Sequence, residues 1–275
     1  MNVRVAALLL LQTLLVSANA RAGSIDVIFY DNRFGTVDSS TGAYTQISTL
    51  PLSASAGIAA GTNSFYVEDM NSNLLTVDPF TGAATLVGSS GLNLAALVFG
   101  GGSDGLFEVD ASSNLYSISS ATGKATLIGA TGLSSNLQSW ADTSLSDDGT
   151  SLLLTVGKPG SGDELYRINI ATGKATDLGN TGVAGVAGSA FINGYLDLFQ
   201  YNQSTDGIYT APDGSLNFTP GAALEAQIVD GGATLPITGN TESSSTPEPA
   251  TLLLAASAIT LLVAHALLRA ASRLP

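Results

Sequence analysis

Three stretches of the chain repeat one pattern of apolar and polar positions: LLTVDPFTGAATLVGSSGL at 74–92, LYSISSATGKATLIGATGL at 115–133 and LYRINIATGKATDLGNTGV at 165–183. FGTVDSSTGAYTQIS at 34–48 is an earlier copy, and GIYTAPDGSLNFTPG at 207–221 a degenerate later one. With Gly42, Gly82, Gly123, Gly173 and Gly214 as markers, successive copies lie 40, 41, 50 and 41 residues apart. Five residues before each marker stands Val37, Val77, Ile118, Ile168 or Tyr209, read as an inward-facing strand position. Leu75, Tyr116 and Tyr166, two residues earlier, share that face by the two-residue alternation of a strand. Ile47, Val87, Ile128 and Leu178 follow five residues after the marker and turn a returning strand the same way, whereas the fifth copy has Thr219 there. The turn between reads Thr-Gly in four copies and Asp213-Gly214 in the fifth, with glycine supplying a positive φ. Asp38, Asp78, Ser119 and Asn169 precede the turn, each able to bond its backbone through a side chain.

Each such pair is half of a larger unit. Material for two more strands precedes the later copies, at 56–69, 94–110, 143–156 and 186–201. The first copy has only SIDVIFYD at 24–31 ahead of it, and the missing strand has a candidate past the last copy, EAQIVDGG at 225–232. A period near forty built of short strands predicts an all-β fold, a β-propeller of about five four-stranded blades over 23–230, closed by a strand from the opposite terminus. An open all-β array of hairpin repeats is the alternative. The 50-residue step comes from GKPGSGDE at 157–164, read either as a recognition loop or as a tolerated insertion.

The two ends differ from the repeats. Residues 1–22 carry an early arginine, an apolar run from Val5 to Val16 and small residues in A-x-A spacing, the layout of a secretory signal peptide. Residues 231–246 lack periodicity and read as a flexible linker. Then comes STPEPATLLLAASAITLLVAHALLR at 245–269, in which Pro247, Glu248 and Pro249 abut an uncharged apolar span at 250–268, with Arg269 and Arg273 behind it. A helix of that length matches a hydrocarbon core of roughly 30 Å. The arginines then place the C-terminus in the cytoplasm, and His265 reads as a neutral histidine near the headgroups. This tripartite segment, 247–275, resembles the PEP-CTERM sorting signal, with "PEPATLLL" as its most specific part; the two spaced arginines depart from the clustered ones usual there. The resemblance implies recognition by exosortase, a membrane protease-transpeptidase of Gram-negative bacteria that make exopolysaccharide. Leu235-Pro236-Ile237-Thr238-Gly239 also fits the LPxTG pattern of Gram-positive sortases, but it stands about ten residues from the span.

Composition narrows the chemistry. Between residues 23 and 249 lie all 22 Asp and Glu against five Lys and Arg, a net of 17 negative charges, which disfavours nucleic acid and anionic lipid as partners. The chain has no cysteine, and its single histidine is His265, so disulfides, thiol catalysis, histidine metal sites and a Ser-His-Asp triad are excluded from the exported part. Acids remain: Asp104, Glu108 and Asp110, Asp147 and Asp148, and Asp163 and Glu164 are candidate oxygen ligands for Ca2+, but none of these stretches reproduces the EF-hand or nonapeptide calcium pattern. Asp147-Asp148-Gly149 reads as a hairpin turn, and Asp163-Glu164 as a solvated loop. Glu68, Asp69, Glu108 and Asp110, near ends of inner strands, are the candidate acids if the chain hydrolyses or eliminates carbohydrate. Trp140 could stack on a sugar but reads as core.

The reading that follows is an exported, inner-membrane-inserted and then sorted protein of the cell surface or matrix, non-enzymatic and without a required cofactor. Its expected partners are an exosortase-like enzyme and extracellular polysaccharide or another envelope protein. A carbohydrate-acting enzyme and an uncleaved single-pass surface protein are the alternatives.

Overall fold

The computed structural model describes residues 23–233 apart from 93–97, 103–104, 134–140, 147, 159–160, 193, 201–206 and 225–227. Pro247, Glu248, Pro249, Arg269, Arg273 and the span 250–268 lie outside the described residues, as do Asp104, Trp140, Asp147 and His265. All regular elements among the described residues are strands, and no helix there is long and apolar enough to cross a membrane.

The strands fall into five groups of four. The second group is β4 (Ser55–Ala60), β5 (Phe65–Asp69), β6 (Asn73–Val77) and β7 (Ala84–Ser89), and the third is β8 (Val98–Gly102), β9 (Gly105–Val109), β10 (Asn114–Ile118) and β11 (Ala125–Ala130). The fourth is β12 (Ala141–Leu145), β13 (Ser151–Val156), β14 (Glu164–Asn169) and β15 (Ala175–Asn180), and the fifth is β16 (Val186–Ile192), β17 (Tyr195–Gln200), β18 (Gly207–Pro212) and β19 (Thr219–Ala223). The first group takes β1 (Ser24–Phe29), β2 (Arg33–Asp38) and β3 (Tyr44–Thr49) from the start of the repeats and β20 (Ile228–Ala233) from their end. Strand β20 pairs antiparallel with β1, setting Ile228 opposite Phe29 and Ala233 opposite Asp26, and thus supplies the missing innermost strand. The inner strands β20, β4, β8, β12 and β16 neighbour one another around a ring that returns to β20. The fold is a closed five-bladed β-propeller, not an open array.

Closure is driven by the second strand of each blade, which buries both faces. In the first blade Ile25, Val27 and Phe29 pack backwards on Ala190, Phe199 and Ile208 of the fifth, while Ile28 and Phe34 pack forwards on Ile58, Phe65 and Val67 of the second. The same division continues around the ring: Leu74 with Phe99 and Leu106, then Val109 and Leu115 with Leu152 and Leu154, then Leu153 and Leu165 with Leu196 and Leu198. Strand β13, SLLLTV, is buried at every position, as such two-sided packing requires. Each fully buried Phe or Leu contributes about 1.5–3 kcal/mol, and the energy is spent on inter-blade seams rather than on one central core.

Two details correct the sequence reading. On the third strands Val37, Val77, Ile118 and Ile168 are buried as expected, Leu75 too, with Tyr116 and Tyr166 half-buried beside Ile118 and Ile168; but Phe34, Leu74, Leu115 and Leu165, three residues earlier, are buried as well. The alternation holds, and both faces of the third strand are packed: Phe34, Leu74, Leu115 and Leu165 turn to the next blade, and Val37, Val77, Ile118 and Ile168 to the preceding one. The ladder to the fourth strand skips one residue in each of the first four blades, at Ile47, Val87, Ile128 or Leu178. The extra residue of such a bulge twists the ladder and rotates these aliphatic side chains onto the seam clusters. In the fifth blade the buried pair is Ile208 and Ala211, not Tyr209, so the repeat frame there is displaced by two residues.

Candidate functional site

The chain reverses at every strand end, so the turns after the second strands and the connectors between blades share one face of the ring. On that face one device recurs. After β1, β5 and β9 the chain makes a tight turn ending in Asn32, Ser72 or Ser113, each a non-glycine residue with φ near 62° (63, 62 and 61°). The carbonyl of that residue accepts the backbone N–H of the connector leaving the fourth strand: Leu50 on Asn32 at 2.8 Å, Ser90 on Ser72 at 3.0 Å and Thr131 on Ser113 at 2.9 Å. In the fourth blade Asp163 takes this place and accepts from Thr181 at 2.9 Å. These carbonyls clasp each connector to its own blade, and nothing in residue-type periodicity announces them.

The clasp decides what several candidate acids do. Asp69 Oδ1 accepts the N–H of Asn71 and of Asn73, both at 2.9 Å, and Asp110 Oδ1 accepts those of Ser112 at 2.9 Å and Asn114 at 2.8 Å. Both aspartates therefore build the turns that present Ser72 and Ser113. Asp163 is 2 % exposed and is not part of a solvated loop: its Oδ2 accepts the N–H of Val186 at 2.7 Å and its Oδ1 that of Gly185 at 3.3 Å. Burial raises its pKa against the lowering effect of those two donors. Its neighbour Glu164 holds Lys158 at 2.7 Å, which clips the 157–164 loop and lowers the carboxyl's pKa. Asp148 lies in a hairpin turn, where it accepts from Thr150 N–H and Ser146 Oγ and is pulled down to about 2.

Glu68 and Glu108 behave differently. Glu68 is on β5 and faces the third blade; Glu108 is on β9 and faces the second, so the two carboxyls meet inside the seam. Both are 0 % exposed. Ser90, delivered by the clasp on Ser72, donates its Oγ–H to Glu68 Oε1 at 2.8 Å. Glu68 Oε2 and both oxygens of Glu108 have no N–H or O–H in hydrogen-bonding geometry, and apart from Ser90, which stands near both carboxyls, the side-chain contact of each is with the other. Burial first, and for Glu108 the charge of Glu68 second, push the pair up to about 7 for Glu68 and about 8 for Glu108. Such a pair holds a proton between its oxygens near neutral pH. The seam that gives the pair this property also closes it to a sugar ring. Asp26 on β1, half-buried and pushed by burial up to about 7, and fully buried Asp197, which accepts Thr210 Oγ1–H at 2.6 Å, are further interior acids that the sequence reading passed over.

The turn glycines form the opposite face. Gly42, Gly82, Gly123, Gly173 and Gly214 have φ of 73, 66, 73, 76 and 73°. The side chains of Asp38, Asp78 and Asn169 accept two turn N–H groups each, while Ser119 uses its backbone carbonyl. No group of three or more His, Cys, Asp and Glu among the described residues is arranged to hold a metal ion.

No family model and no curated protein matches the chain. Among solved structures, a chain of a nidogen/laminin complex is similar with a TM-score of 0.53 at 10 % identity, over 78 % of this chain and 83 % of that one. A protein of unknown function from Bacteroides thetaiotaomicron gives 0.53 at 15 % identity over 78 % and 62 %, and TolB from Acinetobacter baumannii 0.43 at 13 % over 81 % and 69 %. At these identities the likeness is one of fold.

Proposed function

We propose that the chain is an exported bacterial envelope or matrix protein that acts as a non-enzymatic binding or scaffold module, delivered by an exosortase-type system and associated with exopolysaccharide. The observation that carries this reading is Pro247-Glu248-Pro249 set directly against an uncharged span and followed by Arg269 and Arg273, on a chain that opens with the layout of a signal peptide. The geometry of the propeller supports the non-enzymatic part. Of the four acids expected at a carbohydrate-cleaving cleft, Asp69 and Asp110 are committed to turns, and Glu68 and Glu108 are sealed in a seam. The strong net negative charge suits a surface that stays soluble among polysaccharides and attracts cations rather than nucleic acid.

Peptide mapping of the mature protein, from a Gram-negative host with and without its exosortase, tests the reading. Loss of the peptides beyond residue 249, only when the enzyme is present and only with Pro247-Glu248-Pro249 intact, is the expected result. A tail retained in both strains makes the protein an uncleaved surface anchor. Retention on the host's own polysaccharide, without change in its chain length, is the expected behaviour of a binding module; shortening of the polysaccharide restores the enzymatic alternative.

A further inference from the structure

The five seams of the ring can be compared position by position, because the register between second and third strands is the same in each blade. Glu68 stands opposite Leu74, as Ile28 stands opposite Phe34, Val109 opposite Leu115, Thr155 opposite Leu165 and Phe199 opposite Ile208. Glu108 occupies the place held by Val27, Val67, Leu154 and Leu198 in the other blades. The facing pairs are therefore Ile28 with Val67, Val109 with Leu154, Thr155 with Leu198 and Phe199 with Val27. Only the seam between the second and third blades sets two carboxyls there. An apolar pair closes three of the other seams and Thr155 with Leu198 the fourth, all of them uncharged, so the glutamates are not what packing demands.

We propose that Glu68 and Glu108 form a proton-operated latch in this seam: a proton held between the two carboxyls closes it, and loss of that proton opens it. With the proton, one carboxyl donates to the other, and two of the three orphaned oxygens are served. Without it, two like charges share a site sealed from water, where repulsion is little screened. The surroundings offer no relief: Asp69 adds repulsion to Glu68 and Asp110 to Glu108, Tyr116 is opposite Glu108 with its hydroxyl on Asp110, and Ser90 brings one neutral donor. Arg33, Lys158 and Arg167 are paired with Asp31, Glu164 and Asp213, and Lys124 and Lys174 follow the turn glycines on the opposite face. Ser90 ties the latch to the connector between the blades, so the seam end on the connector face is the part released. The apolar cluster of Ala59, Leu74, Phe99, Leu106 and Ile118 retains the rest.

The test uses the full chain in a mild detergent, melted at about pH 5 and about pH 8.5, beside Glu68→Gln, Glu108→Gln and the double variant Glu68→Val with Glu108→Val. The latch predicts a fall in melting temperature of roughly 5 °C or more at the higher pH, reduced to less than half in each variant. It also predicts faster amide exchange in 86–92 and 106–109 at the higher pH, after correction for intrinsic rates, with other seams unchanged. An equal fall in the variants, or equal protection of those segments at both pH values, overturns it; the second reading needs only the unaltered chain. A rise in melting temperature with Ca2+ or Mg2+ at the higher pH, present in the unaltered chain and absent from the variants, overturns it in favour of a cation held between the glutamates.

Discussion

Gly42, in the hairpin turn of the first blade, lies so close to Ala223, in the outermost strand of the last, that a Cβ on the glycine would come within 1.9 Å of the Ala223 carbonyl oxygen. The contact joins the two ends of the repeat array, and it recurs around the ring. A Cβ on Gly82 would meet Ser48 Oγ at 1.8 Å, on Gly123 the Gly88 carbonyl carbon at 2.8 Å, and on Gly173 the Gly129 oxygen at 2.8 Å. The turns of the first four blades thus abut the fourth strand of the preceding blade, and glycine is required both by its positive φ and by the approach of a neighbour, which is backbone at Gly42, Gly123 and Gly173 and the Ser48 side chain at Gly82. In the fifth blade the place five residues after Ala211 belongs to Leu216, whose Cδ1 would stand 2.9 Å from a Cβ on Gly179. Here only the partner strand keeps its glycine, as at Gly88 and Gly129, and the leucine fills the gap.

Gly42→Ala and Gly214→Ala consequently separate two costs. Both positions have φ of 73°, but nothing lies within 4 Å of a Cβ on Gly214. Gly214→Ala should lose about 1 kcal/mol, the strain of a left-handed alanine. Gly42→Ala must also push the first and fifth blades apart, and should lose about 3 kcal/mol or more. Denaturant melts of the full chain measure both, read from the midpoint with an unchanged slope. Equal losses would mean that the ends of the ring do not meet at Gly42.

How much of this was written in the sequence depends on how local the cause is. The turn glycines, the period near forty and the strand borrowed from 225–232 are legible because each rests on residue types at fixed spacing. Leu115 and Leu165 escape a reading that follows the single face of Tyr116 and Ile118 or Tyr166 and Ile168, because the third strand also packs its other face against the next blade. Gly214 misled for a different reason: it is a turn glycine in a frame two residues out of step, and Leu216 could be recognised only from the space opposite Gly179. Glu68 and Glu108 were singled out, but as separate acids near strand ends. That they meet follows from the handedness of packing between β5 and β9, which no spacing along the chain encodes. Asp163, beside charged Glu164 in a glycine-rich stretch, looked solvated because its partners, Gly185 and Val186, belong to the next blade.

The clasp in the fourth blade offers a direct measurement of such a hidden role. Asp163→Ala leaves the N–H groups of Gly185 and Val186 without their acceptors at a site 2 % exposed. Unserved buried donors cost about 1–3 kcal/mol each, so the variant should lose about 2–4 kcal/mol, the weaker 3.3 Å bond contributing least. Asp163→Asn keeps one acceptor oxygen and should recover at least half of the loss. Neutral behaviour of both variants in thermal melts would mean that the connector at 181–186 is held without Asp163.

The opposed environments of the acids give stability a defined dependence on pH. Asp38, Asp78 and Asp148 accept several hydrogen bonds in their turns and lie below the ordinary 3.8, Asp148 at about 2. In that range the unfolded chain binds more protons than the folded one, so their contribution is present above pH 3.8 and is lost as pH falls towards 2. Glu68, Glu108 and Asp26 lie the other way, at about 7, 8 and 7 against 4.5, 4.5 and 3.8, so the folded chain binds more protons and stability falls as pH rises from about 4 towards 8. The melting temperature of the full chain should therefore peak near pH 4–5, more acidic than the usual maximum between about 5 and 8. Asp78→Asn separates the limbs, because Asn169 performs the same turn function without charge in the fourth blade. That substitution should make the acid limb shallower and leave the alkaline limb in place. A peak at or above pH 7 would mean that the interior acids of the first three blades ionise freely, and the tight seams described around Glu68, Glu108 and Asp26 would then be wrong.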